Sequence, residues 1–404
     1  MYPFLTRPNA RSVRPLIHGT MYTYGAMWMN EEIRRQGGTI SFRDYMELAL
    51  YHPVSGYYSA EGTRYGRRGD YLTAPTASEW YALTLRRALA SVSRSVGALD
   101  LVDLASGDGA FLDGILHGYE EIELPEIGRV ISVERSAARR RQQAERFHGD
   151  RRIAVVPELG EVPAPRGPVV VHASELYDAF PVHRLVGRET GPMEMWVAVE
   201  EDALAWAERP ARAELSAYLE RHRVDLQPGQ IAEVNLAAEP EHRELLRWAG
   251  DDALVLVLDY GYDATRLYDP RGRRGGSLAC FSGHRLNRDP LLAPGDQDIT
   301  AHVNWDDLRR PAMDLGWREI GLWPLAELLV RAGLPALVDE RGLGLATELD
   351  AEVYARRQEL NRLLNPEGMG SDLRVLVQAK GIFLTTAADD HLFSTSIRSS
   401  VISR

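Results

Sequence analysis

Two residue types are nearly missing from this chain. It holds one cysteine, Cys280, and one lysine, Lys380, in 404 residues. A single cysteine excludes intramolecular disulfides and a thiolate zinc site. The lysine shortage beside abundant arginine reads as codon bias in a GC-rich genome. Positive charge is short overall, since 47 Lys and Arg face 58 Asp and Glu for a formal net charge of −11. Proteins built on a nucleic-acid backbone show a basic excess or stripe, so no nucleic-acid partner is expected. The run Arg139 to Arg141 reads as the solvated face of a helix. No apolar run reaches bilayer length, so no membrane partner is expected and the cytoplasm is the default location. The scattered histidines lack ligand spacing, and no metal is expected. There is no internal repeat. Hydrophobic and charged fractions of 45% and 26% suit a globular protein large enough for one enlarged α/β domain or two.

What is present centres on Leu101–Leu112, an apolar run that reaches a Gly-x-Gly turn and passes directly into a helical pattern. Gly107 and Gly109 carry no Cβ to hold a bound nucleoside away from the backbone. A second apolar segment, Arg129–Val133, ends in Glu134, where a carboxylate can accept from a ribose diol. The third glycine of the dinucleotide fingerprint is replaced by Leu112. The turn therefore suits a mononucleoside such as S-adenosylmethionine better than NAD. The bland alternatives are an ordinary strand-to-helix turn and a surface acid. Asp103 and Ser106 belong to the same turn, Asp103 either meeting the methionine amino group or capping the helix.

From residue 99 strands and helices alternate, which predicts a parallel Rossmann-like sheet with helices on both faces. The expected strands are Leu101–Leu104, Arg129–Val133, Ile153–Val156, Val169–Ala173, Leu254–Leu258, Arg318–Leu322 and Leu373–Ala379. Residues 99–385 form this domain, with insertions at 184–235 and 262–298. The first insertion holds an antiparallel hairpin, Met195–Val199 with Ala203–Ala207, and an amphipathic helix; the second reads as irregular. Residues 39–98 are expected to be a helical and loop segment, with Ser41 capping a short helix up to Leu50. Residues 1–38 bear arginines and no acid before Glu31. They read as a flexible extension, or as an early start codon, ahead of a transit peptide. Residues 386–404 read as a disordered tail.

Several motifs then align in one order: Tyr51-His52-Pro53 with Gly56-Tyr57-Tyr58, Gly69-Asp70-Tyr71-Leu72-Thr73-Ala74-Pro75, the turn at Gly107, and Glu134-Arg135-Ser136. Further on come Ser174-Glu175-Leu176-Tyr177-Asp178-Ala179-Phe180-Pro181, Asp259-Tyr260-Gly261, and Asp298-Ile299-Thr300-Ala301-His302. Together, over about residues 40–381, they resemble the MidA-like family of S-adenosylmethionine-dependent methyltransferases, which includes mitochondrial assembly factors of respiratory complex I. Two departures stand out. Asp103-Leu104-Ala105-Ser106-Gly107-Asp108-Gly109 replaces the family's Glu-Leu-Gly-Pro-Gly-Arg-Gly, and Ser174-Glu175 replaces Asn-Glu.

The resemblance implies a seven-stranded class I methyltransferase sheet and S-adenosyl-L-methionine as cofactor. It implies that Gly69, Asp70, Thr73 and Pro75 fold over the cofactor and that Glu158 lies near the adenine. It also implies that Glu175 serves a protein arginine acceptor, since family members methylate arginine. Glu175 and Asp178 follow the fourth strand at the carboxyl edge, where two acids can hold a guanidinium. His302 is a candidate proton acceptor whose bland reading is structural. In a mitochondrion-bearing source the resemblance implies the matrix. Three alternatives stay open: a small-molecule O- or N-methyltransferase, a non-catalytic cofactor-binding assembly factor, and, disfavoured by Leu112, an NAD(P) oxidoreductase. A protein or small-molecule acceptor is the expected partner, and a homodimer is the candidate assembly.

Overall fold

The computed structural model describes residues 22–59, 73–118, 122–283, 285–340 and 351–384. Its main sheet contains β1 (Leu99–Leu104), β2 (Ile127–Val133), β3 (Ile153–Val156), β4 (Val169–Ser174), β5 (Ala253–Tyr262), β6 (Arg318–Pro324) and β7 (Leu373–Lys380). Their order across the sheet is β6-β7-β5-β4-β1-β2-β3. The strands from β3 to β5 pair in parallel, and β7 runs antiparallel to both β5 and β6. The sheet has eight strands, one more than expected, because Val303–Asn304 pairs with the end of β5. β4 and β5 read as near-continuous aliphatic runs because helices cover both of their faces.

One face is covered by α4 (Glu79–Val96) and α5 (Ala110–His117), whose Leu83, Leu85, Leu89 and Leu112 are buried against β1 and β5. The other is covered by α8 (Ala238–Ala249) and the helix Trp305–Asp314, through Leu245, Leu246 and Leu308. Each such leucine contributes roughly 2 kcal/mol on leaving water. Among the described residues no helix is long and apolar enough to cross a membrane.

Three expectations are corrected. Within the stretch read as a flexible extension, α1 (Tyr22–Arg35) is a helix that buries Met29 and Ile33 against α2 (Phe42–Tyr51). The first insertion starts at His183 and is a five-stranded antiparallel sheet. To the expected hairpin, here Gly191–Glu200 and Ala203–Pro210, it adds His183–Arg188, Ile231–Val234 and the N-terminal Thr39–Ser41. The hairpin turns through Glu201 and Asp202, both with positive φ, as a tight twisted turn requires. The stretch read as irregular carries a three-stranded sheet, Ala279–Ser282, Arg285–Asn287 and Asp298–Thr300. Strands of three or four residues leave no readable alternation. Ser41 caps α2 as expected, accepting from Asp44 N at 3.2 Å. The C-terminal tail lies outside the described residues.

Gly109 begins α5 at φ +82°, and a Cβ there would stand 2.7 Å from the Phe147 ring. Gly149, at φ +88°, has open space around it. Gly109→Ala is expected to cost about 2–3 kcal/mol, from left-handed strain plus overpacking. Gly149→Ala is expected to cost about 1 kcal/mol from strain alone. Urea denaturation of both variants checks this, and equal losses would contradict it.

Candidate active site

The chain passes from β1 to β2 and β3 on one side and returns to β4 on the other. A crevice therefore opens at the carboxyl ends of β1 and β4, the switch point where open α/β sheets bind ligands. It is a cavity of about 1250 Å³ lined by the glycine turn, by the ends of β2, β3 and β4, and by Tyr51, Tyr58, Thr73 and Pro75.

The turn leaves β1 with Ala105 at φ +53° and Gly107 at φ +59°, which swings the chain sharply into α5. Glu134 at the end of β2 locks it. Glu134 Oε2 accepts from Gly107 N at 2.9 Å and Oε1 from Ser136 N at 2.7 Å. Each oxygen keeps a further lone pair for a ribose hydroxyl. Burial pushes this half-buried carboxyl above its ordinary pKa, against the pull of the two N–H donors. On the other side Gln143 donates to Gly107 O at 2.7 Å, so α6 (Ala137–Arg146) also holds the turn.

The end of β4 is shaped differently. Glu175 has φ +50°, rare for a non-glycine residue and typical of functional sites. Its Oε1 is buried without a hydrogen-bond partner among the described residues, as is the adjacent Ser174 Oγ. Both residues line the cavity. Behind Glu175 lie Asp178, Asp259 and Asp298, all at most 4% exposed. Burial and the charges of Asp178 and Asp298 push the Glu175 carboxyl well above its ordinary range. Burial, Asp259 and Asp298 do the same to Asp178. Asp259 is pushed up to about 8 by burial, although its carboxylate accepts from Tyr260 N, Tyr177 N and Asp178 N. Tyr58 donates to Asp298 Oδ1 at 2.7 Å. Glu175, Asp178 and Asp259 have no ion pair among the described residues, where no group of three or more His, Cys, Asp or Glu is placed to hold a metal.

Of the residues picked from the sequence, Thr73, Pro75, Asp103, Ser106, Gly107, Glu134, Glu158 and Glu175 line this cavity. Gly69 and Asp70 lie outside the described residues. Three are not in the wall. Gly109 packs against Phe147 instead. Asp178 points into the protein behind Glu175, where the loop's main chain turns it inward: its N–H bonds Asp259 and its C=O accepts from Ala301 N at 2.9 Å. His302 Nδ1 accepts from the Arg273 guanidinium at 3.1 Å, between Tyr260 and Tyr262. Burial, with Arg273 and Arg288, lowers its pKa to about 4, so it is a neutral structural ring and not a proton store at the pocket. Residues not singled out from sequence but present in the wall include His172, Tyr51 and Phe180. Apolar runs hide His172 inside β4, and only its pairing with Asp103 marks it.

The residues present fit S-adenosylmethionine: a carboxylate with lone pairs left for a diol, a turn without a Cβ at Gly107, and room for the methionine arm. Fold and site together define a Rossmann-like methyltransferase that uses this cofactor. A family model described as "Putative S-adenosyl-L-methionine-dependent methyltransferase" matches residues 80–322. The chain belongs to that family, the MidA-like methyltransferases. It is 29% identical to the Danio rerio protein arginine methyltransferase NDUFAF7, mitochondrial, covering 82% of each chain. To the Homo sapiens protein of that name it is 25% identical, over 90% of this chain and 83% of the other. A Burkholderia thailandensis protein solved bound to S-adenosyl-homocysteine superposes with a TM-score of 0.77 at 27% identity, covering 91% of this chain and 95% of the other.

Two outcomes follow from these charges. Glu134→Gln replaces an acceptor of two N–H groups with a group half donor, and should weaken S-adenosylhomocysteine binding by roughly tenfold or more in calorimetry; a change below about twofold would contradict the ribose role. Asp259 titrates above ordinary carboxyls, so its favourable contribution is present at low pH and lost as pH rises through about 8. The ligand-free protein should therefore lose melting temperature across that range, and Asp259→Asn should flatten the loss. An identical slope in the variant would contradict the raised titration of Asp259.

Proposed function

We propose that this methyltransferase modifies an arginine side chain presented by a protein. The observation that carries the reading is Glu175, a strained residue of the cavity wall that keeps one buried carboxylate oxygen unpaired, next to the unpaired hydroxyl of Ser174. A guanidinium brings five N–H donors and a charge that does not titrate, which complements this wall. The acids behind Glu175 sharpen the preference, because a cation relieves their mutual repulsion. The names of the curated relatives, protein arginine methyltransferases, agree with it.

When bound, S-adenosylmethionine supplies an electrophilic methyl group. The protein contributes alignment, and a well-aligned displacement gains roughly 7–11 kcal/mol. Glu134 holds the sugar from the β2 side. Glu175 holds the acceptor nitrogen from the β4 side and takes the proton released as that nitrogen becomes methylated. Its raised pKa suits it to this, since a stronger base accepts a proton more readily. Tyr51 and Tyr58 wall the acceptor side, their hydroxyls bound to Ala179 O and Asp298. The word mitochondrial in the relatives' names supports the matrix for a eukaryotic source; for a source without that organelle the cytoplasm is the expected compartment.

Incubating the protein with methyl-labelled S-adenosylmethionine and a host extract, then hydrolysing the macromolecular fraction, tests the reading. Label is expected in methylarginine. Label confined to the small-molecule filtrate would replace the proposal with a small-molecule methyltransferase. Glu175→Gln should leave S-adenosylhomocysteine affinity within about threefold while lowering transfer by roughly 10²–10⁴; undiminished transfer would remove Glu175 from the chemistry.

A further inference from the structure

A buried polar chain stands behind the glycine turn. Asp103, at 1% exposure, has both oxygens engaged. Oδ2 accepts from Ser106 Oγ at 2.6 Å, and Oδ1 lies 2.7 Å from His172 Nδ1. His172, also 1% exposed, stacks its ring on Phe111 at 3.8 Å between centroids. Its second nitrogen, Nε2, lies 2.8 Å from the hydroxyl of Tyr81, a fully buried residue of α4. The Asp103 carboxylate only accepts, so the ring proton sits on Nδ1 and Nε2 accepts from the Tyr81 hydroxyl. The donors all run toward one carboxylate, from Tyr81 through His172 on one side and from Ser106 on the other.

The sheet order says what that carboxylate is near. β1 lies between β2, whose end holds Glu134, and β4, whose end holds Glu175. Groups at the end of β1 therefore stand between the sugar-binding and acceptor-binding carboxylates. That is the stretch the methionine half of the cofactor must cross. Asp103, Ser106 and His172 all line the cavity there.

We propose that Tyr81 and His172 are positioning residues: through Asp103 they hold the Ser106 hydroxyl and the turn in the orientation that receives the methionine half of the cofactor. Without His172, Asp103 Oδ1 loses its donor inside a dry site, where a carboxylate left unmatched rotates or takes up a proton. Ser106 then loses its anchor. The inference rests on the cofactor assignment and is independent of which acceptor is methylated.

The test compares two probes, S-adenosylhomocysteine and adenosine, by calorimetry on the full chain. Adenosine lacks the methionine half, so it reports the sugar and base contacts alone. His172→Leu should raise the Kd for S-adenosylhomocysteine about tenfold and leave that for adenosine within about twofold. His172→Asn, whose amide N–H stands near the place of Nδ1, should restore the affinity to within about threefold of the parent. Tyr81→Phe should cause a smaller loss, also confined to S-adenosylhomocysteine. Parallel losses for both probes, or no loss for either, would overturn the proposal. Should His172→Leu fail to fold, the other two variants carry the same comparison. Nitrogen NMR of the His172 ring gives a separate readout: a proton on Nδ1 supports the donor order, and a proton on Nε2 alone contradicts it. If S-adenosylhomocysteine does not bind the parent protein, the cofactor assignment itself fails, which is a distinguishable result.

Discussion

Burying carboxylates at one edge of a sheet is expensive, and how each is matched organises this molecule. A charge in a low-dielectric interior must find donors or give up its ionisation. The chain does this with backbone N–H groups and neutral side chains instead of arginine. Asp103 takes a serine hydroxyl and an imidazole, Asp259 takes three main-chain N–H groups, and Glu134 takes two. Each match also does structural work, since the donors belong to the turns after β1, β2 and β4 or, for His172 and Tyr260, to β4 and β5 themselves. At this edge Oε1 of Glu175, a residue of the cavity wall, has no such match among the described residues. The pattern of satisfied and unsatisfied acceptors thus separates the frame of the site from its working face.

The two insertions and the N-terminal segment serve that face. Three tyrosines of the segment reach across to the later chain: Tyr45 to Pro290 O, Tyr51 to Ala179 O, and Tyr58 to Asp298. Ser136 at the start of α6 in turn donates to Tyr58 O at 2.8 Å. The cavity is thereby walled by two tyrosines whose hydrogen-bond partners lie 128 and 240 positions away in sequence. The five-stranded sheet anchors the same segment by pairing Thr39–Ser41 with its longest strand. These contacts join elements that no local pattern connects.

Much of the frame was legible in the sequence because it follows periodic rules. Alternating aliphatic runs and amphipathic stretches located all seven strands β1 to β7 of the main sheet to within a few residues, and Ser41 announced the start of α2. Gly107 and Glu134 were readable as a pair from a glycine turn after one strand and an acid after the next, and the structure joins them by a 2.9 Å hydrogen bond in the cavity wall. What was not legible depended on three-dimensional convergence. Asp178 and Glu175 look equivalent in sequence, three positions apart, yet the left-handed φ at Glu175 turns one toward the cavity while Asp259 holds the other inside. His302 sits in a matched motif but is taken up by Arg273. His172 was hidden in a strand whose other residues are aliphatic, and its two partners lie 69 and 91 positions away. The strands Ala279–Ser282, Arg285–Asn287 and Asp298–Thr300 of the second insertion escaped because three or four residues carry too little periodicity.

The central claim is that cofactor and acceptor meet between Glu134 and Glu175 across the end of β1. A structure of this protein in complex with S-adenosylhomocysteine tests it most directly. The account predicts both ribose hydroxyls within hydrogen-bonding distance of Glu134 and the thioether sulfur turned toward Glu175. A ligand seated with its sugar away from β2, or with its sulfur pointing away from β4, would contradict it.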